Sequence, residues 1–282
     1  MTVVVVGAAG QLGQALIARF AGEHEVTPVT RREVDLSNHR ALRAFVMERK
    51  PAAVINCAAY TNVDGAEDEQ ETALDINAFA VRTLARATTE LGAVLVHYST
   101  DFVFAGTAAT PYTEDDEPEP QSVYAQSKLL GEWIAADNPR HYVLRVESLF
   151  GGPHAHSSVD RIAAAVRAGQ QAPVFTDRVV SPSFVDDVVD ATGHLLRSRS
   201  VPGLYHCVNT GFGTWLEVGR EIARLLGQPD TTLKPVSVRD VTLRARRPPY
   251  AALSNAKLAR AGYTMPSWQN ALQRYITRGA AG

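Results

Sequence analysis

The chain has 282 residues, which is enough for one large domain or two modest ones with a substantial core. Hydrophobic residues make up 45% and charged residues 21%, which excludes a fully disordered chain. The 28 basic and 30 acidic residues nearly balance, which argues against binding of nucleic acid or of an anionic membrane through overall charge. The basic residues are 24 Arg and only 4 Lys, so each lysine stands out when motifs are sought.

Two further features bear on where the protein works. Cys57 and Cys207 are too few for a disulfide framework and lack the spacing of a metal site, and free thiols suit a reducing cytoplasm. The uncharged stretch from Thr2 to Ala18 lacks a basic leading region and is interrupted by glycine and glutamine. We therefore expect a cytoplasmic protein with no signal peptide and no membrane partner.

The N-terminal half alternates between short apolar runs and segments of helical periodicity. The runs predict strands over residues 3–6, 26–29, 53–58, 93–98 and 142–146. The periodic segments predict helices over residues 12–20, 42–47, 73–91 and 127–136. Such alternation indicates an α/β fold with a Rossmann-type, doubly wound and mostly parallel sheet.

Beyond Phe150 the rhythm is less regular. We expect helices at 159–168, 185–196, 214–226 and 268–276, and strands at 173–180 and 204–209. This suggests a cofactor domain over residues 1–152, joined by a returning segment at about 183–212. Residues 153–182 and 213–282 would then form a smaller C-terminal α/β lobe for the substrate. Trp133, Trp215 and Trp268 are expected to pack into the interior.

A glycine-rich turn follows the first predicted strand. Gly7, Gly10 and Gly13 have GxxGxxG spacing, and Gln11 and Leu12 lie between the last two of them. Glycines at such a turn let the backbone approach a pyrophosphate, which then sits at the N-terminus of the following helix. The spacing differs from the usual GxGxxG, but its placement between strand and helix predicts a dinucleotide site.

The end of the second predicted strand bears on the choice of cofactor. Sites that prefer NAD place an acid there for the ribose hydroxyl, whereas this chain has Arg31 and Arg32. Guanidinium groups suit a 2′-phosphate, so NADPH is favoured. Glu33 and Asp35 lie close by, and NADH therefore stays open as an alternative.

Tyr124 and Lys128 are the candidate proton-transfer pair. They are four residues apart, so they share one face of the predicted helix. An ammonium beside a phenol would lower the tyrosine pKa from its reference of about 10. A phenol tuned in this way can protonate the alkoxide that forms when hydride reaches a ketone carbon.

Ser99, Thr100 and Asp101 follow the fourth predicted strand. The carboxyl ends of strands are where doubly wound sheets bind ligands. A hydroxyl at this position could therefore hydrogen-bond the substrate oxygen beside Tyr124. With the glycine turn, these residues indicate a reductase.

The motifs resemble the extended short-chain dehydrogenase/reductases and, within them, the dTDP-4-dehydrorhamnose reductase family. The resemblance runs nearly end to end. It is carried by GAAGQLG (7–13), VDLSN (34–38), VINCAAYTNVDGAE (54–67), INA (76–78), STDFVFAG (99–106), VYAQSKLLGE (123–132), SPSFVDDV (181–188), GLYHCVNTGFGTW (203–215) and RRPPYAALSNAKL (246–258).

This resemblance implies roles for individual residues. Thr100, Tyr124 and Lys128 would be the catalytic trio. The implied cofactor contacts, together with the glycine turn and Arg31, are Asp35, Leu36, Ala58, Ala59, Tyr60, Ser99, Tyr124 and Lys128. The implied substrate contacts are Val63, Thr100, Asp101, Phe102, Phe104, Tyr124 and Arg247.

The chain also departs from the family pattern. Phe102 stands where the family often has Tyr, and the segment 145–150 lacks the usual aromatic pair and carries Glu147. Glu147 either faces the sugar or is a salt-bridged structural acid, and we favour the second interpretation. Ala15 replaces a Glu that some relatives use near a Mg²⁺ site, so no metal is expected.

The resemblance implies NADPH-dependent reduction of the C4 ketone of a dTDP-4-dehydro-6-deoxyhexose, with dTDP-L-rhamnose as the best single product. A 4-ketoreductase acting on another nucleotide deoxysugar is the first alternative. A non-catalytic NADP-binding regulatory subunit, like the beta subunit of methionine adenosyltransferase, is the second. The expected partner is the nucleotide sugar and not a nucleic acid, and a homodimer stays open.

Overall fold

The computed structural model describes residues 1–153 and 156–278. Its centre is a sheet of six parallel strands in the order β10-β5-β4-β3-β1-β2, which confirms the predicted fold class. The strands of this sheet are β1 (Thr2–Val6), β2 (Glu25–Val29), β3 (Ala53–Asn56), β4 (Val94–Thr100), β5 (His141–Val146) and β10 (Gly203–His206).

Helices cover both faces of this sheet. They are α1 (Gln11–Phe20), α2 (His39–Arg49), α3 (Gln70–Leu74), α4 (Ala80–Glu90), α5 (Val123–Ala135) and α7 (Val185–Ser198). Strand β1 needs a continuous run of valines because it is buried on both faces and alternate side chains point to opposite faces. Val3 and Val5 pack into the core beneath α1 and α7, whereas Val4 and Val6 pack into the core beneath α2 and α4.

Most of the remaining elements form a second apolar cluster, to which Phe150, Val159, Trp215 and Leu272 belong. Its helices are α6 (Ser158–Arg167), α8 (Trp215–Leu225) and α10 (Trp268–Arg278), whereas Leu258 of α9 (Ala256–Arg260) packs into the core beneath α1 and α7. Its short strands are β6 (Leu149–Phe150), β7 (Ala172–Phe175), β8 (Val179–Val180), β9 (Ser183–Phe184), β11 (Gly213–Thr214) and β12 (Leu233–Val236). Among the described residues no helix is both long enough and apolar enough to cross a membrane.

Three expectations about elements need correction. The strand predicted over residues 173–180 is two strands: β7 pairs with β12, and β8 pairs with β11. The helix predicted over residues 73–91 is interrupted by a π-helical turn at Asp75–Phe79. Trp133 does not pack, because it lies on the outer face of α5 and is 62% exposed, whereas Trp215 and Trp268 are buried.

Candidate active site

The glycine turn has the geometry that a tight strand-to-helix connection requires. Gly7 has a φ of +81°, and a Cβ there would lie 2.6 Å from the backbone nitrogen of Ala58. A Cβ on Gly13 would lie 2.3 Å from the carbonyl oxygen of Gly7, so α1 can approach the turn only with glycine at this position. Gly10 caps α1 without a side-chain hydrogen bond. The first amides of α1 are thus available to an anionic ligand.

A cleft of about 1320 Å³ begins at this turn and follows the carboxyl ends of the strands. The predicted cofactor residues that line it are Gly7, Gly10, Gln11, Leu12, Arg31, Asp35, Leu36, Ala58, Ala59, Tyr60, Ser99, Tyr124 and Lys128. Arg31 is 87% exposed, and its contact with Asp35 is long, at 3.4 Å, so its guanidinium can reach a ligand. Arg32 is exposed and does not line the cleft, and Gly13 packs beneath the turn.

The end of β4 places hydroxyl groups beside the candidate tyrosine. Ser99 lines the cleft, and its buried Oγ has no hydrogen-bond partner within the described ranges. Thr100 is the last residue of β4, and its hydroxyl lies beside Tyr124 and donates to Asp101 Oδ1 at 3.0 Å. Burial raises the pKa of Asp101 to about 6. A carbonyl oxygen bound here would meet Thr100 and Tyr124 together.

Lys128 does not tune Tyr124 in the way the sequence suggested. Its Nζ donates to the carbonyl oxygen of Tyr98 at 2.5 Å, and burial lowers the pKa of the lysine to about 8. Burial, followed by the charge of Asp101, raises the pKa of Tyr124 above its ordinary value. The expectation of a depressed phenol pKa is therefore wrong. The phenol is held in its protonated form, which is the form that can donate.

Helix α5 is fixed by buried polar contacts. Ser122 caps its start by accepting from the Ala125 amide at 3.2 Å, which places Tyr124 in the first turn. Arg145 on β5 donates to both carboxylate oxygens of Glu132, at 2.9 and 2.7 Å. A bidentate pair of this kind sets the orientation of the helix against the sheet. Lys128 and Tyr124 thereby occupy defined positions.

Asn77, in the π-helical turn, links α5 to the cleft wall. Its side chain accepts from the Tyr60 amide at 2.8 Å and donates to Ser127 Oγ at 2.9 Å. A π-turn in a helix is often found at a functional site because it redirects one side chain. The segment INA contributed to the resemblance, but periodicity alone gave no signal for this turn.

Of the residues expected only on the substrate side, Phe102 lies beside Tyr124, with ring centroids 5.8 Å apart. The expectation that Phe104 contacts the substrate needs correction, because Phe104 is 1% exposed and stacked on Tyr112 in a separate apolar cluster. Val63 is half-buried and does not line the main cleft. Arg247 lies with its guanidinium 5.9 Å from the Phe102 ring.

Asp64 is a residue that sequence reasoning missed. Its carboxylate accepts from the Ala245 amide at 2.9 Å and from Arg247 at 2.8 Å, so it holds the segment carrying Arg247 against the loop that follows β3. The Ala245 amide, followed by Arg247, lowers the pKa of Asp64 below its ordinary value. Only its position next to Val63 hinted at this contact.

Glu147 is not the salt-bridged acid that we favoured. It is 2% exposed, and its Oε2 accepts from the Ser181 amide at 2.6 Å. Its Oε1 has no hydrogen-bond partner in the described part of the chain. Arg178, a second residue that the sequence did not reveal, lies over the Phe102 ring at 5.7 Å and likewise forms no ion pair with any described residue.

Metal-binding side chains do not gather at the cleft. Among the described residues, no group of three or more His, Cys, Asp or Glu could hold a metal ion. Cys57 lines the cleft and is half-buried rather than buried, and desolvation raises the pKa of its thiol. Its neutral thiol is a poor ligand and a poor nucleophile. The donors that the cleft does present are hydroxyls, backbone amides and the ammonium of Lys128.

Comparison with known proteins adds an independent observation. Residues 1–280 match the family model described as the RmlD substrate binding domain. A dTDP-4-dehydrorhamnose reductase of Mycolicibacterium smegmatis is 34% identical, over 96% of this chain and 84% of its own length. A probable dTDP-4,6-dihydroxy-2-methyloxan-3-one 4-ketoreductase of Streptomyces antibioticus is also 34% identical, over 96% of this chain and 92% of its own.

A solved structure gives the same result. The dTDP-4-dehydrorhamnose reductase of Bacillus anthracis, in complex with NADP, superposes with a TM-score of 0.92 at 31% identity, covering 98% of this chain and 99% of its own. The family model covers both the glycine turn and the segment around Arg247. The chain therefore belongs to the dTDP-4-dehydrorhamnose reductase family, the family of the RmlD substrate binding domain.

Proposed function

We propose that the protein is an oxidoreductase that reduces the C4 ketone of a dTDP-4-dehydro-6-deoxyhexose with NADPH, and that its substrate is dTDP-4-dehydro-L-rhamnose. One observation carries this proposal: Tyr124 and Lys128 line the same cleft as the glycine turn, and the Thr100 hydroxyl lies at the phenol. The names of the relatives and the NADP complex support the same conclusion.

Each residue has a defined chemical task in this reaction. NADPH, when bound, supplies the hydride that reaches C4 of the sugar. The Thr100 hydroxyl would turn from Asp101 to donate to the carbonyl oxygen and orient it, and Tyr124 would give its proton to the oxygen as it becomes an alkoxide. Lys128 lines the same cleft, and its ammonium would donate to the ribose of the nicotinamide.

Three features suit the cofactor. A dinucleotide phosphate would rest on the first amides of α1, where the glycines leave no Cβ in the way. Arg31, at the far end of the cleft, would contact a 2′-phosphate, although Asp35 beside it would suit a ribose hydroxyl. The Ser99 Oγ, which has no hydrogen-bond partner among the described residues, would donate to the nicotinamide end of the cofactor.

We also propose the division of labour within the chain. Residues 1–152 and the returning segment at about 183–212 would bind the cofactor, and the other described residues would bind the sugar. Val185 and Val188 share a core with β1, and β10 pairs with β5, which supports the returning segment. We place the enzyme in the cytoplasm because both cysteines are free thiols.

The direct test is turnover. The purified protein should consume NADPH when dTDP-4-dehydrorhamnose is added, and Tyr124→Phe should lower kcat by about 100-fold or more, because the proton donor is lost. NADPH affinity should stay within about twofold, since the ring remains. Tyr142→Phe is the matched control, because that hydroxyl donates to the Ser200 carbonyl away from the cleft.

Two results would contradict these assignments separately. A wild-type protein that binds NADPH but turns over no nucleotide sugar would exclude the reductase, and would favour a regulatory NADP-binding role. An active protein whose Tyr124→Phe variant keeps full turnover would exclude Tyr124 as the donor and leave the reaction itself in place.

A further inference from the structure

A cluster of polar side chains surrounds Phe102 next to the proposed proton donor. We define the Phe102 cluster as Asp101, Phe102, Glu147, Arg178 and Tyr250. The ring of Phe102 meets the edge of Tyr124 at 5.8 Å, and the Arg178 guanidinium lies over it at 5.7 Å. Asp101 and Glu147 are both almost fully buried here. The cluster therefore lies next to the proposed catalytic tyrosine.

Four polar atoms of the Phe102 cluster are buried without a hydrogen-bond partner in the described part of the chain. They are Asp101 Oδ2, Glu147 Oε1, Arg178 Nε and the Tyr250 hydroxyl. Folded proteins leave few such atoms, because each one has given up its water without replacement. Four together beside one reactive group indicate that something else, a ligand or ordered water, completes their hydrogen bonds.

The charges in this cluster are close enough to act on one another. Burial and the neighbouring Asp101 raise the pKa of Glu147 well above its ordinary value, and burial, followed by Glu147, raises the pKa of Tyr250. Burial lowers the pKa of Arg178, while the two carboxylates raise it. The titratable side chains of the cluster thus shift one another's pKa values, although no ion pair forms between them within the described ranges.

Glu147 is held in a defined orientation. Its Oε2 accepts from the Ser181 amide at 2.6 Å, and Ser148, the next residue, adopts a φ of +45° in the left-handed region. A left-handed serine is a costly conformation that persists only where the surroundings impose it. The carboxyl is therefore positioned and not free to rotate toward solvent. A structural acid would have used both oxygens.

We propose that Glu147 and Arg178 bind ring hydroxyl groups of the hexose, and that they select a substrate that keeps the hydroxyl at C2. This inference rests on the proposed function. The sugar must present its C4 oxygen to Tyr124, which lies beside the Phe102 cluster. Of the two sides of the ring next to C4, the C5 side of a 6-deoxyhexose carries a methyl group and the C3 side carries hydroxyls, so the buried polar atoms of the cluster match the C3 and C2 side. A carboxyl and a guanidinium together match hydroxyls, because a hydroxyl both donates and accepts.

A requirement for the C2 hydroxyl would distinguish this chain from a 2-deoxy-sugar reductase. The ring named for the Streptomyces antibioticus relative carries no hydroxyl at the carbon that corresponds to C2 of the hexose. A site whose buried polar atoms expect a hydroxyl rejects the analogue that lacks it, because those atoms stay unpartnered. The Phe102 cluster, with Glu147 and Arg178 in it, therefore favours a fully hydroxylated 6-deoxyhexose.

The experiment compares two substrates. We measure kcat/KM with NADPH for dTDP-4-dehydrorhamnose and for its 2-deoxy analogue. The wild-type protein should prefer the hydroxylated substrate by about 10- to 100-fold. Glu147→Leu and Arg178→Gln should each bring the preference to within about threefold of unity, mainly through KM. Glu147→Gln, which keeps a hydrogen-bonding oxygen, should retain most of it.

Controls keep the test decisive. Asp160→Asn removes a buried carboxyl from the capping box of α6 and should lower stability without changing the substrate ratio. If Glu147→Leu fails to fold, the ratio for Arg178→Gln decides. Equal use of both substrates by the wild-type protein, or an unchanged ratio in both variants, overturns this inference but leaves the reductase. No turnover of either substrate with NADPH bound overturns the proposed function itself.

Discussion

At the scale of single residues, the environment of Lys128 decides how the site responds to pH. Its ammonium is buried, its Nζ donates to the Tyr98 carbonyl, and the charge of Glu132 favours its protonated form. Burial outweighs these contributions and lowers the lysine pKa to about 8. Tyr124 titrates in the opposite direction, because burial and Asp101 raise its pKa. The lysine, not the tyrosine, therefore limits activity on the alkaline side.

We expect kcat/KM to fall as the pH rises through about 8, because the folded protein then loses the charge of Lys128. The contribution of Lys128 to stability should change in the opposite sense. Its folded pKa lies below that of the unfolded chain, so between about pH 8 and 10 this contribution rises with pH. The raised pKa values of the buried Cys57 and Cys207 thiols act in the other direction over the same range. Initial rates test the first sign, and the difference in thermal midpoint between the wild-type protein and Lys128→Met across this range tests the second.

Reversibility provides the control for this profile. Protein returned from about pH 10 to pH 7 should regain full activity, since deprotonation and not unfolding caused the loss. A rate that stays flat from about pH 7 to 10 would contradict the assignment of the charge to Lys128.

At the scale of elements, the packing of α1 against the glycine turn joins stability to cofactor binding. Gly13 in α1 has no room for a side chain, because its Cβ would meet the Gly7 carbonyl oxygen at 2.3 Å and the Ala8 Cα at 3.0 Å. These are backbone atoms that cannot rotate away. A methyl group here must move α1 away from β1, and with it the amides proposed to hold the pyrophosphate.

Gly13→Ala should therefore lower the free energy of unfolding by about 1–3 kcal/mol and weaken NADPH binding. Gly22→Ala is the matched control, because a Cβ on Gly22 has nothing within 4 Å. Urea unfolding and cofactor titration measure the two effects. A Gly13→Ala protein that is as stable as the Gly22→Ala protein would show that α1 can shift without loss.

The elements also explain which parts of the fold could be predicted from the sequence. Strand β1 and the turn after it were predictable, because a run of valines indicates a buried strand and closely spaced glycines indicate a tight turn, each from the local sequence alone. The π-turn at Asp75–Phe79 was not, because a shift of one residue leaves helical periodicity almost intact. Phe104 was misplaced because the chain turns in a short 3₁₀ segment at Asp101–Val103, which directs the two phenylalanines differently.

At the scale of the whole molecule, the site joins residues that are far apart in the chain. Tyr124 and Lys128 share one helix, so their spacing revealed them, and the resemblance supplied Thr100. Arg178 and Asp64 reach the site only through tertiary contacts, and Asp64 binds partners 181 and 183 residues away. No local pattern predicts such a contact. The proximity of Thr100, Tyr124 and Lys128 at one cleft was therefore predictable, and the contacts that join the two parts of the chain were not.

Asp64 shows what these long-range contacts do for the whole molecule. It lies on the cofactor side of the cleft, 44% exposed, and binds Ala245 and Arg247 from the C-terminal part of the chain. Its pKa is lowered by the Ala245 amide and then by Arg247, so its contribution is complete above about pH 4 and is lost as the pH falls through its folded value.

We expect Asp64→Asn to raise KM for the nucleotide sugar by roughly three- to tenfold, because Arg247 loses the charge that positions it over Phe102. The KM for NADPH and kcat should change little, since the glycine turn and Tyr124 are not touched. Glu221→Gln is the matched control: it breaks an ion pair with Arg224 that is local to α8 and should alter neither constant. Steady-state kinetics on the three proteins measure the difference. A KM for the sugar equal to that of the wild-type protein would mean that the segment around Arg247 holds its position by packing alone.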